Sequence, residues 1–91
     1  MPEHSVVTPD HNLLERMARG EQDAVIELRR RHGESMYALA YALIGDSLDA
    51  DQVVRDTFAE ALLAAPRYDR RQSTVFSWLA GIARHRAGGH D

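Results

Sequence analysis

A length of 91 residues and an apolar fraction of 44% predict one domain with a modest shared core. The chain has no cysteine, which excludes disulfides, thiolate metal sites and cysteine nucleophiles. Its net charge of −3 divides into −6 over residues 1–66 and +3 over residues 67–91. This asymmetry indicates a basic end that suits a polyanion and an acidic part that suits a basic protein surface, although charges also scatter unevenly in a short chain.

The first ten residues contain two prolines and show no periodicity, so residues 1–10 are predicted to be a disordered lead. They lack the basic start and long apolar centre of a signal peptide. The longest apolar runs, MYALAYALI and VFSWLAGIA, are too short to cross a bilayer. We therefore expect a cytoplasmic protein, without a membrane contact, whose single domain spans residues 11–91.

Two helices are predicted in the first half of the domain. A short one starts near Asn12, with Asp10 or Asn12 as its N-cap, and ends at Gly20. A long one follows and ends at Gly45, with Gly33 as a point where it either bends or breaks. Its apolar face repeats at three- and four-residue steps, through Val25, Leu28, His32, Met36, Leu39 and Leu43.

Two further helices complete an all-α bundle of three long helical segments plus a short N-terminal one. The third is capped by Ser47, ends at Pro66, and buries Ala50, Val53 or Val54, Thr57, Phe58, Ala61 and Leu62. Asp49 and Asp51 place negative charge at its positive end. The fourth is capped by Thr74 and has an apolar stripe of Val75, Trp78, Leu79 and Ile82.

Catalytic and metal-binding patterns are weak. His32 lies on an apolar face, which is typical of a core histidine, and His85 and His90 are separated by two glycines. The carboxylates of the third helix suit a solvated face better than an acid–base pair. The chain has neither a glycine-rich phosphate loop nor a serine elbow. We expect no enzyme activity, no metal and no cofactor.

The loop PRYDRRQST and the helix after it are the strongest candidates for a binding site. Three arginines attract phosphates, and Tyr68 offers a ring to an unstacked base. The helix presents Ser77, Arg84 and His85 away from its apolar stripe. This combination is typical of a surface that captures single-stranded DNA. The same composition also fits a solvated turn whose arginines keep the protein soluble.

Two runs, GDSLDADQVVRDTF and WLAGIARHRA, resemble region 2 of bacterial RNA polymerase sigma factors of the extracytoplasmic-function (ECF) type. The resemblance extends from about Leu13 to Ala87. It implies that the third helix docks on the clamp helices of the largest subunit of core RNA polymerase. The matching positions are Asp49, Ala50, Asp51, Gln52, Val53, Arg55, Asp56 and Phe58. Relatives usually carry glutamine and then glutamate where this chain has Arg55 and Asp56.

The resemblance also implies that the last loop and helix recognise the non-template strand of the promoter minus-ten element. One base would turn out of the stack into a pocket formed by the loop. The matching positions are Arg67, Tyr68, Asp69, Arg70, Arg71, Gln72, Ser73, Thr74, Ser77, Arg84 and His85. Asparagine is common in relatives at the position of His85. Trp78 is expected to anchor the helix in the core rather than to stack on a base.

In relatives a second helical domain follows and recognises the minus-thirty-five element. We expect that domain to be absent here, and we favour a fragment of a longer sigma factor over a naturally short protein. An alternative function is a helical interaction module that binds a regulatory partner, such as an anti-sigma factor, without binding DNA. A metal- or ligand-binding bundle is a third hypothesis, and it rests only on scattered histidines.

Overall fold

A computed structural model describes residues 7–89 and contains four α-helices. They are α1 (Asp10–Ala18), α2 (Gln22–Ile44), α3 (Ser47–Ala64) and α4 (Val75–Gly88), with a 3₁₀ turn (Ala65–Arg67) directly after α3. Residues 7–89 include no strand, so the predicted all-α fold of three long helices and a short leading one is confirmed. α2 packs against α3 and α4, and α1 packs against α2 and the 3₁₀ turn.

All four helices contribute to one core. Its most fully buried large side chains are Leu13, Leu14, Met17, Leu28, Met36, Val53, Thr57 and Leu79. The predicted apolar faces of α3 and α4 point inward, and both Val53 and Val54 are buried. The prediction is wrong at Leu43, which is 55% exposed. In the last turn of α2, Ala40 is fully buried and Ile44 packs against the core, so Leu43 lies on the outer side of that turn.

Side chains cap the N-termini of α3 and α4. The hydroxyl of Thr74 accepts a hydrogen bond from the Ser77 N–H at 3.1 Å, which confirms the predicted cap of α4. α3 is capped by Asp46 rather than by Ser47, because the Asp46 carboxylate accepts from the N–H groups of Leu48 and Asp49 at 3.0 and 2.9 Å. Ser47 is therefore the first helical residue.

The start of α1 differs more from the prediction. Its N-cap is Pro9, which offers no side-chain hydrogen bond, and Asp10 is already helical. The Asp10 carboxylate instead accepts from Arg31 Nη1 at 3.0 Å and lies 2.7 Å from His32 Nε2. Arg31 Nη1 also donates to the carbonyl of Thr8 at 2.5 Å. The Asp10 side chain, predicted to cap its own helix, therefore bonds to α2 instead. Residues 1–6 of the predicted lead lie outside the described part of the chain.

Glycines end the first two helices and leave the second unbroken. Gly45 has φ of +80° and its N–H donates to the Tyr41 carbonyl at 2.7 Å, which confirms it as the end of α2. Gly20, with φ of +84°, lies between α1 and α2. Both positions are left-handed, a conformation that side chains with a Cβ atom rarely adopt. At Gly33, by contrast, α2 continues without a break.

Candidate nucleic-acid interface

The loop before α4, residues 68–74, is held in shape by Tyr68. The Tyr68 hydroxyl donates to the Ser73 carbonyl at 2.7 Å, which closes the loop across its base. The Tyr68 ring packs edge-on against Trp78, with centroids 5.2 Å apart. Burial raises the pKa of Tyr68, so the hydroxyl stays protonated and remains a donor. Trp78 itself is half-buried against the core, as predicted.

Asp69 organises the middle of the same loop. Its carboxylate accepts from the Arg71 N–H at 2.9 Å and from the Arg71 guanidinium at 3.2 Å. These bonds lower the pKa of Asp69, so it remains an anion. The other residues of the predicted set are arranged around this turn. Arg67, Arg70, Gln72 and Thr74 are exposed and Ser73 is half-buried.

The last helix brings three predicted residues to one side. Ser77, Arg84 and His85 are all exposed, and their spacing of seven and eight residues places them on one helical face. Arg86, which the sequence interpretation leaves out, points to another side of α4. Its Nε donates to Glu60 Oε1 of α3 at 2.7 Å. Of the two arginines at the end of α4, Arg84 therefore lies on the exposed face, and Arg86 forms an ion pair with α3.

The residues matched to polymerase binding divide into a surface set and a core set. Asp49, Gln52 and Arg55 are exposed, and Asp51 and Asp56 are half-buried. Ala50 and Val53 have no exposed surface and Phe58 is 2% exposed, so these three side chains stabilise α3 from inside.

The exposed side of α3 is cross-linked by local pairs. Arg55 Nη1 lies 3.1 Å from Asp51 Oδ2, and Gln52 Nε2 donates to Asp56 Oδ1 at 2.9 Å. Both pairs join residues four apart on one helix face. The positive charge at Arg55 is therefore offset by its neighbour Asp51.

The structure adds α1 to the surroundings of the loop. A cavity of about 470 Å³ separates the loop from α1, and its α1 side carries His11, Leu14 and Glu15. Sequence patterns miss this contribution because residues that line the cavity together, such as His11 and Arg70, are far apart in the chain. A helical period identifies Leu14 as a core residue but says nothing about which loop packs beside it.

Metal-binding and membrane-spanning features are absent from residues 7–89. No three histidine, aspartate or glutamate side chains in this range come together as metal ligands. Of the histidine pair considered from the sequence, His90 lies outside the described residues, as does His4. No helix in the same range is long and apolar enough to cross a membrane.

Comparisons with known proteins agree with this architecture. The model of the Sigma-70 region 2 family matches residues 28–88. The chain belongs to this family. The resemblance to region 2 of ECF sigma factors, inferred from two sequence runs, is therefore confirmed.

Two region 2 relatives extend the match. The ECF RNA polymerase sigma factor BldN of Streptomyces coelicolor is 28% identical over 78 residues, which are 86% of this chain and 30% of BldN. The chain thus spans about 30% of the length of that curated relative. An NMR structure of an engineered region 2 of sigmaE in complex with GTAAAA has a TM-score of 0.83 and 28% identity. That match covers 96% of this chain and 90% of the sigmaE chain.

Proposed function

We propose that this region 2 domain binds core RNA polymerase and captures single-stranded bases of the promoter minus-ten element. One observation carries the proposal. Nearly the whole chain has the backbone of the sigmaE region 2 that binds GTAAAA. The arginine-rich loop and the exposed face of α4 have the chemistry that such a ligand requires.

The DNA side of the proposal rests on exposure and pre-organisation. Arg67, Arg70 and Arg84 are exposed and available to phosphates. Ser77 and His85 lie on the same face as Arg84 and offer hydrogen bonds to base edges. The loop keeps its shape without a ligand through the Tyr68–Ser73 bond. A turn that merely kept the protein soluble would not require such internal bonding.

The polymerase side rests on α3. Its outer side carries Asp49, which is exposed, and Asp51 and Asp56, which are half-buried. This acidic surface complements the basic clamp helices that the family resemblance implies. Val53 and Phe58, which the resemblance also matches to this contact, would act by holding α3 in the bundle.

A second candidate function is an interaction module for an anti-sigma factor. Leu48 and Leu63, each 79% exposed, lie at the two ends of α3, and Leu43 of α2 is 55% exposed. Leu43 and Leu48 flank the short turn between α2 and α3, so a protein partner that covers this end of α3 would bury both. This partner would cover the surface of α3 that polymerase binding uses, so the two would compete for the domain.

The test is fluorescence anisotropy with a labelled minus-ten single strand, with and without core polymerase. Arg84→Ala should weaken DNA capture by several-fold, and Asp56→Arg should abolish polymerase binding. Arg29→Ala and Glu34→Arg are the matched controls, because they change exposed charges on α2 that make no ion pair among residues 7–89. DNA binding should also weaken steeply as salt rises. If the domain binds neither ligand but binds an anti-sigma factor through Leu48 and Leu63, with little salt dependence, the interaction module is the correct function.

A further inference from the structure

His32 of α2 connects three helices at one point. Its Nε2 lies 2.7 Å from Asp10 Oδ2 of α1, and Nε2 is the donor because a carboxylate only accepts hydrogen bonds. The His32 ring also packs edge-on against the Phe76 ring of α4, with centroids 5.9 Å apart and an interplanar angle of 66°. The His32 side chain, which is only 16% exposed, is therefore held by α1 and in turn contacts α4.

Phe76 lies where the loop meets the last helix. It is in the first turn of α4, directly before Ser77, and it is 47% exposed. Arg70 and Thr74 lie beside it, around a recess of about 320 Å³. Phe76 is therefore next to three residues of the surface that is proposed to bind DNA. Aromatic pairs prefer an edge-to-face arrangement, so the His32 ring restricts the orientation of the Phe76 ring.

Other contacts already serve the stability of this region. The first turn of α4 is fixed by the Thr74 cap and by Val75, which is 4% exposed. The bond from His32 to Asp10 runs parallel to another, because Arg31 Nη1 donates to the same carboxylate at 3.0 Å. What His32 adds is a contact from α2 to an exposed ring at the DNA surface.

We infer that His32 is a positioning residue for DNA capture, because its ring fixes the Phe76 ring and with it the side of α4 that carries Ser77. The inference rests on the proposed function, since it requires that the loop and α4 capture DNA. It brings α2 into this function through a histidine that helical spacing in the sequence assigns to the core.

The experiment measures binding of a labelled GTAAAA strand to the full 91-residue chain in the presence of core RNA polymerase. His32→Gln keeps a donor to Asp10 but removes the ring, and it should weaken DNA capture about three- to fivefold. His32→Phe keeps a ring but removes the donor, so its urea midpoint should fall. Its DNA affinity should stay within about twofold of wild type, because Arg31 still bonds to Asp10.

Two further variants match these in size or in kind. His32→Leu lacks the donor, as His32→Phe does, and differs from it by the missing ring, so it should bind DNA about three- to fivefold more weakly than His32→Phe. This comparison keeps the test available if His32→Gln does not fold, which circular dichroism shows. Tyr37→Leu removes one ring of another aromatic pair of α2, between α2 and α3, and should keep DNA affinity within about twofold.

A readout of polymerase binding separates positioning from a general loss of structure. All His32 variants should bind core polymerase without DNA within about twofold of wild type, because α3 is unchanged. If polymerase binding falls by the same factor as DNA capture, His32 acts only on the fold and the inference is wrong.

A double variant tests whether His32 acts through Phe76. In a Phe76→Leu background, His32→Gln should cause no further loss of DNA affinity, because the ring contact is already absent. A further loss as large as in the wild-type background would show that His32 acts by another route, and the inference would be overturned.

The remaining outcomes distinguish this inference from the proposed function. If the wild-type chain binds the strand and His32→Gln binds it equally well, His32 does not position α4, while the proposed function stands. The same holds if His32→Phe loses as much affinity as His32→Gln. If the wild-type chain does not bind the strand, with or without polymerase, the proposed function fails and this inference fails with it.

Discussion

Arg86 Nε lies 2.7 Å from Glu60 Oε1, and this ion pair joins α4 to α3. It is the one ion pair between these two helices in the described part of the chain. The cleft around it, about 460 Å³, also contains Asp56 and His85. Asp56, which is matched to polymerase binding, and His85, which is matched to DNA binding, therefore line the same cleft. The pair holds Arg86 away from the free face of α4 that carries Arg84.

Replacing Glu60 should increase DNA binding. In Glu60→Gln, Arg86 loses its carboxylate partner and becomes available to a phosphate. We expect affinity for a minus-ten single strand to rise about two- to fivefold. One added phosphate contact should also steepen the salt dependence, by about 0.7 in the slope of log affinity against log salt. Fluorescence anisotropy at several salt concentrations measures both quantities.

Two variants separate release of Arg86 from a general change of charge. Glu34→Gln removes the same charge from α2 and should leave DNA affinity within about 1.5-fold. The double variant Glu60→Gln with Arg86→Ala should lose the gain. If the double variant binds as tightly as Glu60→Gln alone, Arg86 is not the group that contacts DNA, and the prediction is wrong.

The loop should depend on a single hydroxyl. Tyr68→Phe keeps the ring against Trp78 but removes the donor to the Ser73 carbonyl. We expect a loss of about 1 kcal/mol in the free energy of unfolding and a several-fold weaker capture of single-stranded DNA, because the loop is less ordered before binding. Tyr41→Phe, at a 44% exposed position, is the control. Unchanged DNA affinity in Tyr68→Phe would mean that the loop does not need this bond.

The helices were predictable because their apolar residues recur at helical spacing. The end of α2 was predictable because Gly45 adopts the left-handed conformation that glycine favours at a helix C-terminus. One error lies where two neighbouring residues can both cap the same helix. Asp46 and Ser47 can both cap α3, and the sequence does not decide between them. At α1 the side chain of Asp10 bonds to Arg31 and His32, which are 21 and 22 residues away, and this tertiary contact overrides the local pattern.

The candidate site was predictable only in its local part. The arginines of the loop and the spacing of Ser77, Arg84 and His85 are visible in the sequence. The position of α1 beside the loop and the partner of Arg86 are not, because each depends on how separate helices pack. Val53 and Phe58 match a binding motif by position, yet their helix turns them into the core. A motif match does not distinguish a residue that contacts a partner from one that supports it.

Acid should weaken the fold partly through Glu27. Arg30 and Arg31 donate to its carboxylate at 2.6–2.9 Å, and these hydrogen bonds lower the pKa of Glu27 from 4.5 to about 2. A lowered pKa means that the folded state favours the anion. The resulting stability is present in full above pH 4.5 and is lost as the pH falls from 4.5 towards 2.

Glu27→Gln should therefore unfold at a lower temperature than wild type at pH 7, and the difference in Tm should shrink between pH 4.5 and pH 2. Thermal unfolding followed by circular dichroism across this range measures it. Glu34→Gln is the control for loss of one carboxylate, since Glu34 makes no ion pair among residues 7–89. If the difference in Tm between Glu27→Gln and wild type stays constant down to pH 2, the lowered pKa of Glu27 does not contribute to stability.

Asp10 should matter more for stability than other acidic residues near the helix ends. Its carboxylate serves Arg31 and His32, whose side chains are only 18% and 16% exposed, so Asp10→Ala leaves both without this partner. We expect a loss of about 1 to 3 kcal/mol in the free energy of unfolding, measured by urea denaturation. Asp49→Ala, at the exposed first turn of α3, should cost clearly less. Equal losses would mean that Asp10 contributes only through charge at the helix end. The greater loss at Asp10, accompanied by weaker capture of single-stranded DNA, would show that α1 must be tied to α2 for the loop cavity to keep its shape.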